Sequence, residues 1–145
     1  MHQLEITLLD QQVLKTSSFL AFILPAIFLL FNKHYVHGLC SLLSGIGSIT
    51  YWHNPKCTTY HIIDLIISRT CTCIYVGTTL YYAYYTSIEH ILSTIVLTLQ
   101  TIYYYMKSRE AYNKFEQTWL IYHAAFHFCC FVAACFTYYL VATCF

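Results

Sequence analysis

Charge is what this sequence has least of. Asp, Glu, Lys and Arg make up 9% of its 145 residues, against about 25% in an ordinary soluble domain. Between Thr118 and Phe145 there is none at all. So few charges cannot solvate the surface of a soluble domain, and a net charge of +1 leaves no basic patch for nucleic acid. Glycine and proline are also scarce, with 4 and 2 copies, and no linker, low-complexity tail or internal repeat is present. The eight cysteines contain no C-x-x-C pair, which excludes a zinc ribbon and gives no support to a disulfide framework. Seven of them fall in apolar runs, where Cys packs as a small hydrophobe, and Cys57 in a short polar loop is the most reactive. The stretch before the first apolar run is polar but not basic, and no small-residue cleavage site follows. That run therefore reads as an uncleaved membrane helix and not as a signal peptide.

What is present is apolar and aromatic: 59% and 19% of residues. A spanning helix needs about 20 mostly apolar residues. The expected fold is all-α, a single polytopic transmembrane helix bundle over residues 1–145, with spans near 16–32, 36–53, 59–85, 88–106 and 118–142. The weak turn signal at 85–90 keeps a four-span alternative open. Pro25 should kink the first helix, and Pro55 disfavours helix at Asn54. Gly45 and Gly47 would let the second helix pack closely on a neighbour. With five spans, Lys15, Lys56, Lys107, Arg109 and Lys114 share one face and Lys33 takes the other, which puts the N-terminus in the cytoplasm. Tyrosines gather near the expected helix ends, as interfacial aromatics do.

His123 and His127 sit one helical turn apart inside the uncharged run, on one face, a spacing that can hold one metal ion. The five-span arrangement brings His53 and Asp64 to the same side at similar depth. Ionisable residues inside a membrane are costly and point to function. Three neutral imidazoles would make a tetrahedral Zn2+ site with one position open to water. Asp64 would accept a proton from that water or orient a ligating ring. His61, three residues before Asp64, is the alternative to His53 as third ligand.

These residues resemble a known pattern. Trp52-His53 followed by Tyr60-His61-Ile62-Ile63-Asp64, with His and Asp eleven apart, looks like the first motif of the CREST superfamily. His123-Ala124-Ala125-Phe126-His127 resembles its last-helix H-x-x-x-H, closest in kind to the alkaline ceramidases and GPI-remodelling lipases. The resemblance implies zinc on His53, His123 and His127 and an assisting Asp64. It implies a zinc-dependent amidase or esterase acting on a membrane lipid, ceramide-like as the first expectation, in the endomembranes (ER or Golgi). The family's usual Ser four residues before the first His is replaced by Ile49, so the oxyanion-steadying hydroxyl would fall to Ser48 or Thr50. The family has seven helices, and its acidic N-terminal calcium motif has no counterpart, Glu5 and Asp10 being isolated. These departures favour the alternative, a non-catalytic receptor, fusion or scaffold protein with a structural metal site. Loss of two helices would also favour a homo-oligomer that covers exposed polar groups.

Overall fold

The computed structural model describes residues 6–144 and forms five helices. They are α1 (Leu8–Phe31), α2 (Tyr35–His53), α3 (Thr58–Thr86), α4 (Ile88–Asn113) and α5 (Trp119–Cys144). Among the described residues there is no strand. Short connections alternate the helix directions. α5 closes the bundle by packing on α4, α3 and α1, while α2 lies between α1 and α3.

The first helix begins earlier than its apolar run, because Thr7 and Asp10 form a reciprocal cap. Asp10 N–H donates to Thr7 Oγ1 at 3.1 Å, and Thr7 N–H donates to Asp10 Oδ2 at 2.9 Å. Asp10 is thus a capping residue, and Glu5 lies outside the described residues. Further along, Pro25 can offer no N–H to the carbonyl of Ala21, and its ring crowds that carbonyl. The chain answers with a π turn over Phe19–Ile23, in which Leu24 N–H reaches back to Phe19 O. The widened turn carries the helix past the proline without ending it.

Two helices stop on non-glycine residues with positive φ, Lys33 at 64° and Phe115 at 59°. Each is followed by a long back-bond, His34 N–H to Leu29 O at 2.8 Å and Glu116 N–H to Ala111 O at 3.0 Å. These caps satisfy terminal carbonyls at the cost of a left-handed backbone. α4 runs on into 107–113, which reads as loop in the sequence. Lys107 and Lys114 reach Glu110 at 2.9 and 2.6 Å on one helix face. The hydrogen bonds from Lys114 and then Lys107 hold the Glu110 carboxyl down at about 2. A depressed carboxylate supports the folded form above its unfolded value near 4.5, and that support fades as pH falls towards 2. Amide protection factors at Ala111–Lys114, taken against the intrinsic exchange rate at each pH, should fall over that window, modestly because the pair is solvent-exposed, and Glu110→Gln should remove that fall.

The packing is inverted relative to a soluble domain. Ser18, Ser41, Ser44, Ser48, Thr79, Thr94, Ser108 and Thr137 are buried, together with His37 and His127. Large apolar side chains face outward: Val36, Leu39, Leu43 and Ile46 on α2, and Leu92, Val96, Leu99, Tyr103 and Met106 on α4. Both stripes recur at three- and four-residue spacing, so each is one continuous helix face. Water penalises such a face, whereas lipid does not, and small polar residues let helices approach closely. Leu8–Phe31, Thr58–Thr86 and Trp119–Thr143 are each long and apolar enough to cross a membrane.

Candidate functional site

The pair expected on the last helix meets as its spacing requires. The rings of His123 and His127 lie 4.7 Å apart, nearly perpendicular at 78°. Helix α5 presents them to the end of the bundle where α1 and α3 begin and where α2 and α4 finish.

Each ring is held by a serine from a different helix. Ser17 on α1 lies 2.7 Å from His127 Nδ1, and Ser108 on α4 lies 3.2 Å from His123 Nδ1. Each serine has a single proton and a backbone acceptor for it. Ser17 donates to Leu14 O at 3.1 Å, and Ser108 donates to Trp119 O at 3.2 Å. We assign both imidazoles on this basis as Nδ1–H tautomers donating to the serines, which leaves Nε2 as the unprotonated nitrogen. Phe22, from the π turn of α1, sets its ring edge-on to His127 at 5.4 Å, and Trp52 does the same to His123 at 5.2 Å. His127 is 2% exposed. A small apolar cluster of Leu14, Trp52, Ala111 and Trp119 closes this end.

His53 does not join the pair. It is the last residue of α2 and is exposed, while its neighbour Trp52 takes the inward position. Successive helix residues are turned by about 100°, so a one-residue offset decides which side chain reaches the core. The inward row of α2 is Ser41, Ser44, Ser48 and Trp52, spaced by three and four. Among the described residues no group of three or more His, Cys, Asp or Glu side chains could hold a metal ion. The three-imidazole zinc site anticipated from the sequence therefore does not fit the arrangement of His53, His123 and His127. His61 does not supply the third ligand either. It is exposed and packs on the Tyr51 ring at 5.0 Å.

The remaining expected residues separate similarly. Asp64 is half-buried on α3, where it accepts a long hydrogen bond of 3.3 Å from Ser68. It comes close to α2 because residue 47 is glycine, and a Cβ there would stand 3.2 Å from Asp64 Oδ1. Ser48 is buried and bonds to Ser18 on α1 at 2.9 Å, whereas Thr50 is exposed. Ser48 can donate there, because Ser18 gives its own proton to Leu14 O at 2.7 Å.

Sequence reasoning did not single out Ser17, Ser18 or Ser108. The available signal was the Ser17-Ser18 pair entering an apolar run at the depth of the histidines. Chemically the cluster is a set of neutral imidazoles and hydroxyls with satisfied protons. Two surface clefts, of about 720 and 240 Å3, are lined by neither His123 nor His127. No protein family, no curated protein and no solved structure matches this chain.

Proposed function

We propose that this chain is an integral membrane protein of five spans with a cytoplasmic N-terminus, acting as a non-catalytic receptor or scaffold. The observation that carries this reading is the inverted packing. On every helix at least one serine, threonine or histidine is buried while large apolar side chains stand exposed. The His123–His127 cluster then serves as an interhelical polar lock that ties α1, α4 and α5 together at one end. A hydrolase must admit a substrate carbonyl to its reactive groups, and His127 is sealed by packing. The test is the metal content of protein purified without chelator. The expected result is zinc below about a tenth of an equivalent per chain. One tightly held equivalent would overturn the non-metal form of this reading.

The second reading, a zinc-dependent amidase or esterase acting on a ceramide-like lipid, keeps one supporting observation. Two tautomer-fixed imidazoles stand side by side at the end of the bundle that also carries Asp64. It needs a third ligand that the present arrangement does not offer. It predicts hydrolysis of an amide-linked lipid that is lost in His123→Ala and tracks zinc content. Residence in the endomembranes belongs to that reading alone.

A further inference from the structure

One cleft lies at the opposite end of the bundle from His123 and His127, where α3 and α5 finish and α4 begins. Its volume is about 720 Å3, inside the range of about 300–1,000 Å3 typical of small-molecule sites. Its walls are Tyr81, Tyr82, Tyr85 and Tyr139 with His90, and two threonines complete it. The rings support one another. Tyr81 meets Tyr85 edge-on at 5.0 Å and Tyr82 at 5.8 Å, and Tyr139 lies 5.9 Å from the His90 ring. His90 is fixed by Ser87, whose oxygen accepts from His90 N–H at 3.3 Å and lies 2.8 Å from Nδ1. The serine proton can be given to Nδ1, and in that tautomer Nε2 carries the ring's proton.

No Lys, Arg, Asp or Glu is among the residues that line this cleft. A strongly hydrated cation such as ammonium or sodium would find no carboxylate to offset its desolvation. A weakly hydrated, bulky cation needs none, because tyrosine ring faces attract it directly. We propose that this cleft binds a quaternary ammonium group of the trimethylammonium kind that choline carries. The volume accommodates the cation with the hydroxyl or phosphate attached to it, which would meet the tyrosine, threonine and His90 donors.

The test uses full-length protein in maltoside detergent, with saturation-transfer NMR on the methyl protons of tetramethylammonium and of choline. Transfer from protein to both cations is expected, with 3,3-dimethylbutanol, the neutral isostere of choline, binding at least about tenfold more weakly. Tyr81→Phe/Tyr85→Phe keeps the ring faces and should stay within about threefold of wild type, while Tyr81→Ser/Tyr85→Ser should lose about tenfold or more. Trp52 and Trp119 pack at the far end of the bundle, so their fluorescence reports folding independently of this cleft. Absence of transfer in the wild type, or equal binding of the neutral isostere, overturns the proposal without reference to any variant. Lipid analysis of protein extracted from mixed phosphatidylcholine and phosphatidylethanolamine bilayers distinguishes the sources. Enrichment of phosphatidylcholine that the serine variant loses assigns a lipid headgroup, and choline binding without enrichment assigns a soluble ligand.

Discussion

Gly38→Leu should leave little folded protein in detergent, and Gly77→Ala should raise the melting temperature. The two glycines differ in what surrounds them. A Cβ on Gly38 would stand 2.6 Å from Leu30 Cγ and 3.1 Å from the Leu30 backbone nitrogen. A side-chain tip can rotate away, but a branching carbon and a backbone atom in a neighbouring helix cannot do so cheaply. Overpacking of one methyl group costs about 1–3 kcal/mol. The gain in helix propensity from glycine to alanine recovers only about 1 kcal/mol. Gly38→Ala should therefore be destabilised on balance, and leucine, with three more carbons, far more so. Around Gly77 nothing lies within 4 Å, so only the propensity gain remains. Thermal unfolding followed by circular dichroism measures both. A Gly38→Ala protein as stable as wild type would mean that α1 and α2 do not meet as closely as described.

The second large effect concerns His127. His127→Ala should cost about 3 kcal/mol, while His127→Leu should cost about 1 kcal/mol or less. The alanine variant leaves a void where a fully buried ring was packed against Phe22 and Phe126. Leucine fills most of that volume and sacrifices only the bond to Ser17. Ser17 keeps its donation to Leu14 O, so no hydroxyl proton is stranded. Interhelical hydrogen bonds in membranes average about 0.6 kcal/mol, which makes packing the larger contribution. Denaturation of both variants in one detergent, read by Trp fluorescence, gives the order. Leucine as damaging as alanine would show that the imidazole does more than fill space. It would return weight to a ligand or catalytic role.

Much of the architecture is legible in the residue order, because long apolar runs separated by Asn32–His34, Asn54–Cys57 and the 114–118 stretch leave few options. The boundaries moved where local chemistry outweighed hydropathy. The Thr7–Asp10 cap extends α1 backward, and the Lys107–Glu110–Lys114 ladder extends α4 forward. Within the site, the His123–His127 contact follows from spacing within one helix, and periodicity fixes it. The place of His53 depends on the rotation of α2 about its own axis. That rotation is set by which residues pack on α1 and α3, namely the small row of Ser41, Ser44, Gly45 and Ser48. Taking that row as the inward face would have put Trp52 inside and His53 outside. A motif match that aligns His53 with a ligand position carries no such information. The serine partners were hidden for a related reason, since a hydroxyl in an apolar run declares its importance only when a neighbouring helix is placed beside it.

The hydroxyls on these helices differ in where their protons go. Ser18, Thr79, Thr94, Thr98, Thr101 and Thr137 each donate to a carbonyl one turn back on their own helix, at 2.7–2.9 Å. These six hydroxyl protons are met within their own helices and need no neighbouring helix, unlike those of Ser48 and Ser108, whose partners are Ser18 and Trp119 O on other helices. At Thr79 and Thr137, 3.0 Å apart, one proton swings from its own carbonyl to the oxygen across the gap. Burying these six hydroxyls between helices therefore strands no donor, whatever stands opposite them.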